Sequence, residues 1–187
     1  ELREQNRAEK ELRAEQARLA KEKEHYINAL AKVQERGDEE EAARIEALLV
    51  DVDRAIADVD YRAANIRAGY VYVISNIGAM GEGIVKIGMT RRLEPYDRIK
   101  ELSSASVPFP FDVHALFFAK DAVSVEAQLH QKFASERVNK VNMRREFFYA
   151  SPQDVLDALK EQGVSLVEYV VEPEAEQFRI SRASIPS

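Results

Sequence analysis

A chain of 187 residues accommodates one ordinary domain, or a small domain with an appendage, and 45% hydrophobic content is enough for a core. Seven glycines and six prolines exclude a low-complexity protein, and the absence of cysteine excludes a disulfide framework, a thiol nucleophile and a Cys-based metal site; no apolar run approaches the ~20 residues that span a bilayer. The net charge of -6 is unevenly divided: residues 1–67 hold 13 basic and 17 acidic groups, residues 86–145 hold 11 and 7, and the 42 residues from Glu146 hold 3 and 8. Only the middle segment is positive. Because screening limits surface charge to about 8–10 Å, that segment can attract a polyanion although the chain is acidic; the same charges also read as a solvated surface.

From Glu1 to Arg67 the chain is rich in Ala, Glu, Arg, Lys and Leu, with Leu12, Leu19, Tyr26 and Val33 recurring every seven residues. After Gly37 the steps alternate between four and three through Ile45, Leu49, Val52, Ile56, Val59, Ala63 and Ile66, the coiled-coil pattern. Gly37 suits a left-handed helix stop, and Asp38 with Glu41 suits a capping box for the next helix. Residues 1–67 are therefore expected to form a helical hairpin or two coiled-coil segments, acting as an oligomerisation arm or spacer. The start at Glu1, without Met, reads as a fragment of a longer parent.

At Gly69 the pattern changes. Tyr70 to Ile74 is β-branched and aromatic, Asn76 to Gly83 is a Gly-rich loop, and Ile84 to Gly88 is a second strand, which together predict a hairpin. A helix follows over Pro95–Ser103 with Tyr96, Ile99 and Leu102 on one face, then a strand over Asp112–Ala119. Asp121 caps a helix to Phe133 with Val125, Leu129 and Phe133 toward the core. Phe147–Tyr149 is a short strand, Ser151 and Pro152 open a helix to about Gln162, and Val164–Val171 is a last strand. The tail after Pro173 reads as mobile. The expected class is α+β: a helical arm (1–67), a domain with a central antiparallel sheet flanked by helices (68–172), and an acidic to polar tail (173–187).

Alternation along the two hairpin strands puts Tyr72 and Ile74 on one face and Lys86 and Gly88 on one face, so Tyr72 and Lys86 can meet across the pair. Gly88 permits close approach where the strand leaves the sheet. Arg91, Arg92 and Arg98 follow, and guanidinium forks suit phosphate oxygens. Glu126 and His130, four apart, share a helix face and can address one site, although the same spacing describes an ordinary surface pair. His114 and His25 are assigned to structure. Lys132, Arg137, Lys140, Arg144 and Arg145 form a basic run suited to sequence-independent phosphate contacts.

Tyr70-Val71-Tyr72 and Lys86-Ile87-Gly88, continued by KIGMT, RIKELSS, VEAQLHQKF, RVN and REFF in that order, resemble the GIY-YIG nuclease superfamily, in its phage T5 open-reading-frame branch. The likeness spans roughly Gly69 to Ala150. Two signature positions depart from the superfamily pattern: Tyr70 stands for the first glycine and Lys86 for the second tyrosine. The resemblance implies a metal-dependent endonuclease that hydrolyses DNA with little sequence specificity. Tyr72 would activate or orient the attacking water, Lys86 would assist it or bind phosphate, and Arg98 would stabilise developing charge. Glu126 would hold one divalent cation, Mg²⁺ or Mn²⁺, with His130 beside it and Asn139 supporting the site. Glu146 belongs to the REFF pattern without an assigned role; pairing with Arg144 or Arg98, or tuning of the site, are the alternatives.

A helical segment ahead of such a nuclease also resembles anti-phage proteins of the SNIPE type, which implies a role in phage defence, phage DNA as target, and a cytoplasmic-side parent tethered to the inner membrane. Two other readings stand beside the nuclease. One is a nucleic-acid-binding module whose site has lapsed at Lys86, and the other is a structural oligomerisation fragment.

Overall fold

The computed structural model describes residues 2–104, 107–164, 166 and 168–184. The chain divides into two units, residues 1–66 and 67–187.

In the first unit, α1 (Leu2–Arg36) and α2 (Glu39–Ala64) form an antiparallel helical hairpin. Gly37 turns the chain at φ +71, where a side chain is disfavoured, and the Asp38 carboxylate accepts from the Glu41 N–H at 3.1 Å. The Glu41 carboxylate pairs with Arg44 one turn on, at 3.4 Å. Two cross-links fix the register, Gln16 to Asp60 and Lys23 to Asp53, each at 2.7 Å. The heptad seam closes inside the hairpin, with Leu12, Leu19, Ile45, Val52 and Val59 buried. Of the two arrangements open to the sequence, the hairpin is the one formed. Ile66 leaves the seam: α2 ends at Ala64, and Ile66 is exposed.

The second unit is α+β. Its elements are β1 (Gly69–Ser75), α3 (Ile77–Met80), β2 (Ile84–Thr90), α4 (Pro95–Ser104), β3 (Asp112–Ala119), α5 (Ala122–Lys132), β4 (Phe147–Tyr149), α6 (Pro152–Glu161) and α7 (Glu176–Ala183). The strands form one sheet in the order β3-β1-β2-β4 with every neighbouring pair antiparallel. Alternation separates two apolar clusters. Val71, Val73, Val85 and Ile87 pack with Leu129 and Phe133 at α5, Phe148 of β4, and Val155 and Leu159 of α6, whereas Tyr72 and Ile74 pack with Ile99 of α4. Ser151 and Asp154 complete a reciprocal capping box at α6, as the Ser-Pro start implies.

Four expectations change. The loop after β1 contains a one-turn helix, α3, capped by the Asn76 side chain, which accepts from the Ala79 N–H at 3.1 Å. Tyr96 points to solvent, and Pro95 instead joins Ile99 on the buried side of α4. The strand expected over Val164–Val171 is not formed by its described residues; Ser165 and Val167 lie outside them. Val170 instead donates its N–H to the His114 carbonyl at 2.9 Å, while the His114 Nδ1–H donates to the Val170 carbonyl at 2.6 Å. Both backbone groups of Val170 are thus used on a single residue of β3, one through a side chain, and no ladder propagates among the described residues. Finally, residues 176–183 of the tail are helical: the Ala175 N–H donates to Asp112 at 3.1 Å, and Phe178 stacks edge-on against Phe109.

Candidate functional site

The site forms where β4 runs out. β4 pairs with β2 only as far as Lys86↔Phe147. At the next position the Ile87 N–H donates to the Glu146 carbonyl at 3.2 Å, and the Ile87 carbonyl accepts from His130 Nε2 at 3.0 Å. A strand end, a helix side chain and the residue preceding β4 therefore converge on one edge of β2.

Tyr72 lies directly across from Gly88 in the β1–β2 register, and its ring occupies the space that a side chain at 88 would take. A Cβ on Gly88 would stand 2.5 Å from the Tyr72 hydroxyl. The glycine is thus required by this ring. Tyr72 is buried, and burial pushes its phenol well above the ordinary value; Arg98, which donates to the hydroxyl, pulls the other way, and the carboxylates of Glu146 and Glu126 push further up. The phenol is consequently neutral at physiological pH, able to orient a water but not to serve as a standing phenolate.

Lys86 sits two pairs along and so on the same face, opposite Ile74, with its Nζ 5.8 Å from the centroid of the Tyr72 ring. The expected meeting of Tyr72 and Lys86 is present. The ammonium is buried and lies 2.7 Å from Glu146 Oε2, so Glu146 pairs with Lys86, a partner outside those expected from sequence. Phe147 pairs with Lys86, and Glu146, lying just before β4 begins, is free of the strand alternation and turns its carboxylate to the ammonium. Sequence offered no such pairing, because the two residues are 60 apart.

Glu126 and His130 project from α5. Ligand atoms of Glu126, His130 and Glu146 all lie within 4.8 Å of one another. Burial lowers the basicity of His130 against the opposing hydrogen bond to the Ile87 carbonyl. Since a carbonyl only accepts, Nε2 carries the proton in the neutral ring and Nδ1 the lone pair, the orientation device usual for ligating histidines. Two carboxylates and an imidazole match the donor chemistry of a divalent cation, the carboxylates suiting Mg²⁺ or Mn²⁺.

The remaining sequence candidates divide by burial. Arg92 is 2% exposed and forms a fork to Glu101, at 2.8 and 2.7 Å, which makes it a brace for α4 and removes it from the surface. Arg137 is likewise buried, stacked 4.9 Å from the Phe148 centroid and donating to the Met143 carbonyl at 3.0 Å. Lys132 pairs with Glu161. Arg91 is half-buried, with its Nε unpaired among protein groups. Lys140, Arg144 and Arg145 are exposed. Asn139 shapes its own loop, its Oδ1 accepting from the N–H groups of Val141 and Asn142 at 3.0 and 2.8 Å. His114 is a satisfied core histidine, bonded to Val170 and to Ser75 Oγ at 2.8 Å.

Among the described residues no helix is long and apolar enough to cross a membrane. No curated protein and no solved structure matches the chain. The model of one family, the T5orf172 domain, matches residues 69–163, which take in all four strands and the whole Tyr72–Glu146 cluster. The chain belongs to the T5orf172 domain family, a nuclease-related branch of the GIY-YIG type.

Proposed function

We propose that this chain is a metal-dependent endonuclease that hydrolyses DNA phosphodiester bonds with little sequence preference. The observation that carries the reading is the convergence of Tyr72, Lys86, Glu126, His130 and Glu146 on one edge of β2, with Arg98 bonded to the Tyr72 hydroxyl. Such a set has an orienting hydroxyl, two cations for phosphoryl oxygens and a donor group for a divalent ion.

The neutral Tyr72 phenol accepts a hydrogen bond from the attacking water and fixes its direction toward phosphorus. Arg98, held against that phenol, faces the charge that grows on the non-bridging oxygens, a preorganised electrostatic role. Lys86 neutralises the phosphate beside it, which compensates for the tyrosine absent at this signature position. Glu126, with His130 and Glu146, would hold the ion, which would supply Lewis-acid assistance to the leaving oxygen. Lys140, Arg144 and Arg145 supply sequence-neutral phosphate contacts. The hairpin arm serves as a spacer or a self-association element, and phage DNA is the target in a defence role, as the resemblance to SNIPE-type proteins suggests.

Tyr72→Phe and Arg98→Ala test the assignment. With supercoiled and linear DNA at low salt, Tyr72→Phe should retain DNA binding and lose cleavage, while Arg98→Ala loses cleavage and part of the affinity. Unchanged cleavage by both variants refutes the assignment. Binding by the wild type without cleavage in Mg²⁺ or Mn²⁺ would make the chain a binding module.

A further inference from the structure

The segment from Asn139 to Arg145 is a built loop with apolar tips. Its base is closed by the Val138 N–H donating to the Phe147 carbonyl at 3.0 Å and the Tyr149 N–H donating to the Glu136 carbonyl at 2.8 Å. Inside it, Asn139 Oδ1 gathers two N–H groups, Asn142 Oδ1 accepts from the Arg144 N–H at 3.1 Å, and the Asn142 carbonyl accepts from the Arg145 N–H at 3.0 Å. The buried Arg137 guanidinium holds the Met143 carbonyl from beneath. A segment with this many internal hydrogen bonds holds its shape before any partner arrives. What it presents is unusual for a rigid loop: Val141 is 96% exposed and Met143 56%, flanked by exposed Lys140, Arg144 and Arg145. No acidic residue occurs from Arg137 to Arg145. Scattered exposed apolar side chains are ordinary; two on a preformed cationic loop that ends at Glu146 of the site are not accounted for by packing.

We infer that this loop is a wedge for duplex DNA, in which Lys140, Arg144 and Arg145 seat on the phosphates while Val141 and Met143 enter between stacked bases beside the cleavage site. This rests on the nucleic-acid reading above. Charge selects the partner, since an acid-free loop bearing three cations suits a polyanion better than a second copy of an acidic chain. Apolar wedges of this size unstack a base step, at a cost of a few kcal/mol that is offset by desolvating the side chains and by the wider contact of a bent duplex. Unstacking reads deformability, not base identity, and so accords with weak sequence preference.

The test uses the full chain in EDTA, so that binding is read without cleavage, with duplexes carrying 2-aminopurine at successive steps. Wild-type protein should raise the fluorescence at particular steps as a base unstacks. Val141→Ser/Met143→Ser should abolish the rise and weaken binding about tenfold with the salt slope unchanged. Lys140→Ala/Arg144→Ala should weaken binding and lower the salt slope yet keep the rise at saturation. Thermal melts matching wild type show that both pairs fold. Wild-type binding with no rise, or a rise that survives Val141→Ser/Met143→Ser, overturns the wedge and leaves the nuclease reading standing. No DNA binding by the wild type removes that reading and the wedge with it. A fall in oligomeric mass in Val141→Ser/Met143→Ser without change in DNA affinity would assign the tips to contact between copies and also overturn the wedge.

Discussion

Gly88→Ala is the sharpest probe of the site, because elementary backbone chemistry and the structure predict opposite signs. Alanine in place of a strand glycine ordinarily stabilises by about 0.5–1 kcal/mol, since less conformational freedom is lost on folding. Here the new Cβ would lie 2.5, 2.6 and 2.9 Å from Oη, Cζ and Cε2 of Tyr72, all well inside van der Waals contact. Tyr72 is packed with Ile74 and Ile99 and cannot swing freely, so its ring must shift against its neighbours. Overpacking of this kind costs about 1–3 kcal/mol, which against that gain leaves a net destabilisation of up to about 2.5 kcal/mol. The displaced hydroxyl loses its registration with Arg98, and a misplacement of about 1 Å at a reacting centre can cost on the order of 100-fold in rate. Urea unfolding followed by far-UV circular dichroism measures the first effect, and single-turnover DNA cleavage the second. A Gly88→Ala variant as stable as wild type, or more so, and fully active would refute the placement of the Tyr72 ring over Gly88.

Other consequences concern charge. Arg92→Ala breaks a buried fork and should cost about 3 kcal/mol in urea unfolding, while Arg144→Ala should change stability by less than about 0.5 kcal/mol and weaken DNA binding with a salt slope smaller by about 1. Stability should also fall in mild acid. His114 and His130 are both held below the ordinary imidazole value by burial, so below about pH 6.5 the unfolded chain binds more protons. Their contribution is complete above that pH and is lost as pH falls through it toward the depressed folded values. Asp121 and Asp154, lowered by their hydrogen bonds to Arg67 and Ser151, act only in more acidic solution. The urea midpoint should therefore drop between about pH 7.5 and 5, and His114→Gln should flatten that drop; a flat wild-type profile would contradict the buried neutral histidines.

Elements with a strong local signal were legible in the sequence. The heptad seam, the Gly37–Asp38 turn, the β1–β2 hairpin and the Ser151–Pro152 helix start are written in neighbouring residues, and each is present. The adjacency of Tyr72 and Lys86 followed from alternation alone. Glu146 did not, because its pairing with Lys86 depends on how far β4 extends along β2, a tertiary register that local pattern does not encode. Two of the basic candidates are buried for a related reason. Arg92 and Arg137 look like their exposed neighbours in sequence, but a carboxylate on α4 and the ring of Phe148 draw them inward. The strand expected over Val164–Val171 had the right composition, yet Val170 spends its backbone groups on His114.

Incubation of the chain with supercoiled plasmid at low salt, in Mg²⁺, Mn²⁺ or EDTA, beside Glu126→Ala, tests the central claim most directly. The account predicts nicking and linearisation by the wild type with either metal, none in EDTA, and none by Glu126→Ala, which still shifts the DNA in a gel. Cleavage that persists in EDTA, or equal cleavage by Glu126→Ala, would contradict it.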